Sequence, residues 1–428
     1  MSKKEMLKFA GDLKTFLDDS PTPTHCILNA EKVLKQKGFK RIEESRKWNL
    51  KKNDKFYVVR HNSALIAGVM GSKDPSQAGF RIIGSHTDSP SFKLKPKAAF
   101  TKEGFIQLAT EVYGGPLFAS WLDRELSLAG RVVVKKNKGY DIRLVDLKKP
   151  VLIIPQLAIH YNRDANKAFN LNPQENLVPV MGLSDEQVND DLIKDIIAKE
   201  LKTDKKKIVN YDLELYPVEK GGIAGLYSDF FMSKGIDDKS MVHASLHSLL
   251  DSGTNGATRV LAFYDNEEVG SSTTNGGKSS FTQDILERLC GCDREKYLRA
   301  VSLSFFMSAD GAHSIHPNYV SKFENMNKVW INKGPVIKIN ANTSYASTVE
   351  SGAVFEMICK EKDVPYQKFV NRSDIKGGGT IGSMIAANLG MRTVDVGNAI
   401  FGMHSARETA GIKDHYWMKE AMKGFLEY

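Results

Sequence analysis

Beyond Gly235 the sequence alternates between helical and strand-like segments, and this alternation is the feature that most constrains the fold. Residues 237–253 have helical periodicity and precede the apolar, strand-like run 259–265. Residues 280–290 again favour a helix, and 300–310 favour a strand. Alternation of this kind is typical of an α/β sheet whose strand ends gather at one edge. We therefore predict an α/β fold for this part of the chain.

The first 91 residues predict elements that complete such a domain. Residues 4–19 and 27–39 have helical spacing, and the short apolar runs 55–61, 64–71 and 80–86 indicate strands. From Phe92 to Asp229 the character changes to β-type runs joined by short turns, at 105–114, 126–136, 140–147 and 151–161. We predict a discontinuous α/β domain of residues 1–91 and 230–428, with a β-rich domain inserted over 92–229.

Composition narrows the class of protein. With 428 residues, 41% hydrophobic and 26% charged, the chain is long enough for two or three domains with an ordinary buried core. Its four cysteines indicate free thiols and a cytoplasmic protein. The net charge of +9 is spread along the chain, so we expect no nucleic-acid partner. No window reaches the about 20 apolar residues of a membrane span, so we expect no membrane partner.

Several apolar strands end on residues that bind metals. The candidates from this pattern are His86, Asp88, Glu267, Glu268, Asp310 and His404, and a further candidate, Asp237, lies just ahead of a predicted helix. Imidazoles and carboxylates without thiolates suit a pair of zinc ions, which a carboxylate can bridge. The adjacent glutamates of "YDNEEVGS" need different roles, since neighbours on an extended chain point to opposite sides. We expect one to coordinate metal and the other to accept a proton from water.

Each candidate also has a simpler interpretation. A single histidine or a pair of adjacent glutamates is most often solvated or structural, and Asp310 could cap a helix. His313 and His316 also lie near Asp310, but we interpret them as loop histidines. The prediction therefore depends on the joint occurrence of the candidates, each near the end of an apolar strand.

Seven segments in order also carry a resemblance to a known family. They are "SPTPTH", "GSHTDSP", "DRELSLAGRV", "YDNEEVGS", "SADGAHSIHPNY", "KGPVIKIN" and "MHSARE", from about residue 20 to residue 410. The chain resembles the M18 metallopeptidases, the aspartyl aminopeptidase and vacuolar aminopeptidase I family. The resemblance implies a zinc-peptidase-type proteolytic domain with an inserted β-rich dimerisation domain. It also implies a tetrahedral dodecamer built from dimers.

The resemblance assigns roles to individual residues. It implies two divalent metal ions per subunit, which we expect to be Zn²⁺, with Co²⁺ or Mn²⁺ as possible substitutes. One ion would be held by His86, Asp237 and Asp310. The other would be held by Asp237, Glu268 and His404. Many members have Leu-Asp-Asn where this chain has Ile-Asp-Asp at 236–238, so Asp238 stays an alternative to Asp237.

The remaining roles concern catalysis and substrate. Glu267 would be the general base, and Asp88 would orient His86. His160 would reach the active site of a neighbouring subunit and, with Lys338 and Tyr345, contact the substrate. The expected reaction is release of N-terminal residues, acidic or neutral, from peptides. The alternatives are a co-catalytic zinc carboxypeptidase or deacylase, and a non-catalytic oligomeric shell.

Overall fold

The structure is a computed structural model that describes residues 2–168 and 170–428. The chain forms two compact units. The first unit contains the chain up to Asp88 together with Gly221–Met403 and Glu408–Tyr428. The second contains Ser89–Lys220 and His404–Arg407, so its main segment starts three residues earlier and ends nine residues earlier than the predicted range 92–229.

The helices lie mainly in the first unit. They are α1 (Lys3–Asp18), α2 (Pro23–Gln36), α3 (Pro75–Ala78), α4 (Asp191–Leu201), α5 (Ile236–Asp251), α6 (Phe281–Leu289), α7 (Arg294–Ser302), α8 (Val349–Glu361), α9 (Ile381–Leu389) and α10 (Ile412–Glu427). Of these, α4 belongs to the second unit.

The strands fall into three sheets. They are β1 (Lys40–Arg41), β2 (Lys55–Arg60), β3 (Ala64–Val69), β4 (Phe80–His86), β5 (Ser91–Lys102), β6 (Phe105–Tyr113), β7 (Leu126–Lys135), β8 (Tyr140–Asp146), β9 (Val180–Leu183), β10 (Ile208–Pro217), β11 (Gly222–Ala224), β12 (Phe230–Ser233), β13 (Thr258–Tyr264), β14 (Phe305–Ala309), β15 (Ala312–His313), β16 (Val336–Ile339), β17 (Gln367–Val370), β18 (Arg392–Gly397), β19 (Ala399–Phe401) and β20 (Glu408–Gly411).

The main sheet of the first unit has the order β1-β2-β3-β13-β4-β14-β18-β16-β17. Its central strands β13, β4, β14 and β18 run parallel to one another. Every residue of β13 is buried, as expected for a central strand that is covered on both faces. A smaller sheet of the same unit has the order β11-β12-β20-β19-β15.

Helices cover both faces of the main sheet. On one face, alternate strand residues such as Ile83 and Leu261 share a core with α1, α2, α5, α8 and α10. On the other face, Ile82 and Val260 share a core with α6, α7 and α9. The alternation follows from the period of two along a strand. The predicted α/β class is confirmed.

The second unit is built on an antiparallel sheet of order β8-β7-β10-β5-β6-β9, with α4 packed on its core. The β-type run predicted at 151–161 is the exception, because only Leu152 and Ile153 form isolated bridges there. Leu152 and Ile154 are buried, but Pro155 cannot donate to a ladder, and Leu157 and Ile159 are exposed, so the run has no buried face beyond Ile154.

The strand predicted at 300–310 begins later than expected. Residues up to Ser302 continue α7, which starts after the N-cap Asp293, and only Phe305–Ala309 form β14. The prediction was wrong at this boundary because Ala300 and Val301 are buried on a helix face and not on a strand. Within residues 2–168 and 170–428, no helix has both the length and the apolar character that crossing a membrane requires.

Candidate metal centre

Three neighbouring parallel strands bring the candidate residues to one edge of the main sheet. Strand β4 ends at His86, which pairs in register with Tyr264 at the end of β13. On the other side of β4, strand β14 ends at Ala309, directly before Asp310. Because these strands run parallel, their carboxyl ends lie side by side, where open α/β sheets hold their functional groups.

His86 is fixed by contacts at its ring and at its backbone. Its Nδ1 lies 3.1 Å from the carbonyl oxygen of Asp88 and 3.3 Å from Asp88 Oδ1. Its Nε2 lies 3.7 Å from Asp237 Oδ1. His86 is buried, and the hydrogen bond and charge of Asp88, with the charges of Asp238 and Glu267, outweigh burial and raise its pKa. Asp88 thereby fixes the ring while Nε2 faces the carboxylates.

The adjacent glutamates lie on a sharp turn after β13. Asn266 adopts the left-handed conformation with φ of 62°, which asparagine tolerates better than most residues, and Glu267–Val269 form a single 3₁₀ turn. Asp88, which is fully buried, accepts hydrogen bonds from the backbone N–H groups of Glu267 and Glu268, at 3.1 Å each. One carboxylate therefore holds both the histidine ring and the turn that carries the glutamates.

The two aspartates at the start of α5 are buried beside His86. Asp238 Oδ2 accepts the His86 backbone N–H at 3.0 Å, and the Asp237 backbone N–H donates to Glu408 at 3.0 Å. The other oxygen of Asp238 is buried and has no hydrogen-bond partner among the described residues. Potential donor atoms of His86, Asp237 and Asp238 all lie within 4.8 Å of one another, as do those of His86, Glu267 and Glu268.

Asp310 is paired with the buried ammonium group of Lys338. Lys338 Nζ lies 3.2 Å from Asp310 Oδ1 and 5.6 Å from the ring centroid of Tyr345. Burial alone would lower the pKa of Lys338, but the charge of Asp310, together with those of Tyr345, Asp395 and Asp237, outweighs it and raises the pKa. Gly397 at the end of β18 makes this position of Asp310 possible, since a Cβ at residue 397 would lie 1.9 Å from the Asp310 carbonyl oxygen.

The electrostatics of the cluster favour a bound cation. Burial, followed by the charges of neighbouring acids, raises the pKa of Glu267 to about 8, despite the opposing effect of His86. The pKa values of Asp238 and Glu268 are also raised, mainly by burial and then by nearby carboxylates. Buried like charges with a solvent-shielded oxygen on Asp238 are costly unless a cation compensates them. The imidazole and carboxylate donors fit zinc.

Two candidates belong to the second unit. His404 lies at the start of the segment His404–Arg407, where its Nδ1 is 3.1 Å from the carbonyl oxygen of Gly115. His160 is exposed, in a turn at the end of the run 151–161. The roles predicted for His404 and His160, like those of the other site residues, stay predictions. The interpretation of His313 as a loop histidine was wrong, because it lies in β15. His316 lies in a loop as expected, with its ring against Tyr319 and Phe401.

Sequence reasoning missed several contacts that position the cluster. Glu408 was not singled out, because its strand β20 has the sequence Glu-Thr-Ala-Gly and no apolar run that would indicate the burial of this glutamate. The double hydrogen bond of Asp88 to the glutamate turn was also missed, because it joins residues that are 179 and 180 positions apart. No local pattern contains such a contact.

A histidine and several carboxylates at the carboxyl ends of a parallel sheet are groups with which metal-dependent hydrolases hold their ions. The family model described as "Aminopeptidase I zinc metalloprotease (M18)" matches residues 16–426, and the chain belongs to this family. It is thus an aminopeptidase, a hydrolase that acts on peptide bonds. The family assignment sets aside the carboxypeptidase, deacylase and non-catalytic alternatives.

Individual relatives agree along nearly the whole chain. A "Probable M18 family aminopeptidase 2" from Clostridium acetobutylicum is 45% identical over 429 residues, covering 99% of both proteins. A chain of the cryo-EM structure of the Ape4 and Nbr1 complex is 35% identical with a TM-score of 0.95, covering 99% of this chain and 86% of that one. The mApe1 dodecamer of S. cerevisiae is 27% identical with a TM-score of 0.86, over 98% and 96%.

Proposed function

We propose that this aminopeptidase hydrolyses N-terminal peptide bonds with two zinc ions per subunit and with Glu267 as its general base. The observation that carries the proposal is the convergence of His86, Asp237, Glu267 and Glu268 around a small volume at the sheet edge. Bound zinc supplies Lewis acidity, which makes water more acidic and polarises a carbonyl group. The chain supplies the ligands, the base and the orientation of both.

The ligand sets follow the family resemblance. His86, Asp237 and Asp310 would hold one ion, and Asp237, Glu268 and His404 the other. The contacts favour Asp237 over Asp238 as the shared ligand, because Asp237 Oδ1 faces His86 Nε2 at 3.7 Å. Asp238 instead uses one oxygen on the His86 backbone. We assign Asp238 to positioning His86.

Glu267 then moves the proton. Its carboxylate would accept a proton from water as the water attacks the scissile carbonyl, and would return it to the leaving amine. Asp88 fixes the backbone of Glu267, so the base has a defined position relative to His86. A general base contributes about 10²–10⁴-fold to the rate.

Lys338 has a more specific role than the sequence suggested. Its ammonium group forms an ion pair with Asp310. This contact favours a role in orienting the Asp310 carboxylate over a role in pairing with an acidic side chain of the substrate. Tyr345 would support the ammonium group through its ring at 5.6 Å. Contact of Lys338 or Tyr345 with the substrate backbone stays part of the proposal.

Preference for acidic substrates would then depend on another surface. A pocket of about 330 Å³ is lined by Ile400 and Met403, and also by Lys322 and Lys376, which are exposed. Gly311 lies between these two side chains and Asp237. A Cβ at residue 311 would be 3.0 Å from Asp237 Oδ1 and also in contact with Ile400 and Met403. The pocket therefore borders the candidate metal centre. Its two lysines would pair with the side chain of an N-terminal Asp or Glu.

We also propose that the chain forms a homo-oligomer, by similarity to the S. cerevisiae dodecamer, with tetrahedral symmetry and dimers as its building block. The surroundings of His160 support this proposal, because Leu157 is 65% exposed and Tyr161 is 83% exposed. Apolar side chains exposed in this way are typical of surfaces that contact a partner. His160 would enter the neighbouring subunit's active site.

The experiment compares free and amino-blocked peptides, with zinc per subunit measured in the same preparation. The account predicts hydrolysis of free peptides only, loss of activity on chelation, and recovery with zinc, cobalt or manganese. Equal hydrolysis of blocked peptides, or full activity without metal, contradicts it. For specificity, Lys322→Met and Lys376→Met should lower kcat/KM for Asp- and Glu-terminated substrates, while Lys360→Met on α8 serves as the control.

A further inference from the structure

A second cluster of metal-binding side chains lies away from the sheet edge, between α1 and α5. Asp12 of α1 faces His243 and His247, which are one turn apart on the same side of α5. Residues at i and i+4 on a helix point in the same direction, so both imidazoles face the carboxylate. His415 of α10 lies behind His243.

The spacing of the donor atoms suits a tetrahedral ion. Asp12 Oδ2 lies 3.4 Å from His243 Nε2 and 3.0 Å from His247 Nε2. Ligand atoms at the about 2.0–2.2 Å bond lengths of zinc are separated by about 3.3–3.6 Å in a tetrahedron. All three donor atoms lie within 4.8 Å of one another. Small movements of side chains would therefore bring them to a common centre.

Of the three residues, His243 has the ring whose position and orientation best suit metal binding. It is 1% exposed, and its Nε2 has no hydrogen-bond partner among the described residues although it faces the Asp12 carboxylate. Its Nδ1 lies 2.9 Å from His415 Nε2. If Nδ1 carries the proton of that hydrogen bond, Nε2 has a free lone pair. A second group on the other ring nitrogen is the usual arrangement for metal-bound histidines.

The surroundings hold the rings in place and leave one side open. Phe9 stacks on His415 with ring centroids 4.8 Å apart, and lies edge-on to His247 at 5.3 Å. The side chains of Asp12 and His247 are 56% and 27% exposed, so water can complete the coordination. The nearby cation, Lys419, is already paired with Asp251 and Glu420, at 3.2 and 2.7 Å.

We infer that Asp12, His243 and His247 form an additional divalent-cation site, of the zinc type, that joins α1 to α5. Two imidazoles and one carboxylate select zinc, nickel or copper over magnesium and calcium, which prefer oxygen ligands. His243 follows Asp237 by six residues on α5, a rise of about 9 Å along the axis. A cation here would therefore stabilise the helix that begins with Asp237 and Asp238.

The test measures zinc per subunit in the full-length protein after chelation and equilibration with micromolar free zinc. Asp12→Asn and His247→Gln change partly exposed side chains, so both variants should fold. Asp195→Asn is the matched control, because this aspartate on α4 is 57% exposed, like Asp12, and pairs with Lys205 outside the cluster. We expect one zinc ion fewer in each cluster variant than in the wild type and the control.

Copper identifies the ligands independently of the zinc count. Added Cu²⁺ should give an electron paramagnetic resonance signal with coupling to two imidazole nitrogens in the wild type, and His247→Gln should lose it. Equal zinc content in all four proteins, or a copper signal unchanged by His247→Gln, would overturn the inference. The cluster would then be a hydrogen-bonded contact between helices. Loss of the catalytic ions alone would lower the zinc content of all four proteins equally, so the two proposals can be told apart.

Discussion

Replacing Asp88 with asparagine should damage the metal centre without touching a proposed ligand. The carboxylate accepts the backbone N–H of Glu267 at Oδ1 and that of Glu268 at Oδ2, while Oδ1 also faces His86 Nδ1. An asparagine has one oxygen and one NH₂ group. Whichever way the amide is oriented, an N–H donor of the side chain meets an N–H donor of the backbone.

The size of the effect follows from these contacts. A buried N–H group without its acceptor costs about 1–3 kcal/mol, and loss of an outer partner of a metal-bound histidine lowers metal affinity or activity about 10–100-fold. We therefore expect Asp88→Asn to lower the free energy of unfolding by about 1–3 kcal/mol. We expect zinc affinity and kcat/KM to fall by about 10–100-fold.

Three measurements are needed. Competition with a chromophoric chelator gives the zinc affinity, steady-state kinetics at saturating zinc give kcat/KM, and urea unfolding gives the free energy of unfolding. Asp265→Asn is the control, since Asp265 is a buried carboxylate near the same turn that binds the Asn266 N–H and the Asn275 amide. The control should lose stability but keep its zinc affinity. A folded Asp88→Asn protein with wild-type zinc affinity and wild-type kcat/KM would refute the reasoning.

Three further predictions concern pH, assembly and Lys338. In the metal-free protein the pKa of Glu267 is raised from 4.5 to about 8, so the folded state holds a proton that the unfolded state releases between these values. The urea midpoint of the metal-free protein should therefore fall as pH rises from 4.5 to about 8, and a midpoint that rises across this range would contradict it. Mixing inactive His160→Ala subunits with inactive Glu267→Gln subunits should restore part of the activity, whereas no recovery in mixed assemblies excludes a shared active site. Lys338→Met should slow all substrates by a similar factor, and a loss confined to acidic substrates would return Lys338 to side-chain recognition.

The sequence predicted the sheet edge well because its strands are continuous apolar runs. The run predicted at 80–86 became β4 with both ends as predicted, and the run predicted at 259–265 became β13, Thr258–Tyr264, one residue earlier at each end. The delayed start of β14 could also have been predicted, since Asp293 caps α7 and accepts the Lys296 N–H. The histidine pair at 243 and 247 was equally visible as an i, i+4 pattern in "VHASLHSL".

Other contacts could not be predicted because they join distant parts of the chain. Asp238 reaches the His86 backbone across 152 positions, and Lys338 reaches Asp310 across 28. The bond between Asp88 and the glutamate turn requires the left-handed Asn266, which asparagine favours but does not force. Such contacts depend on tertiary packing, and the sequence gives only the residue types that make them possible.

The division of roles between the adjacent glutamates is tested most directly by measuring zinc per subunit and kcat for Glu267→Gln and Glu268→Gln side by side. The account predicts that Glu267→Gln keeps the wild-type zinc content while kcat falls about 10²–10⁴-fold. Glu268→Gln should instead bind less zinc, with activity that partly recovers when zinc is added. If Glu267→Gln loses zinc and Glu268→Gln keeps it, the assignment of base and ligand is reversed and the central claim is wrong.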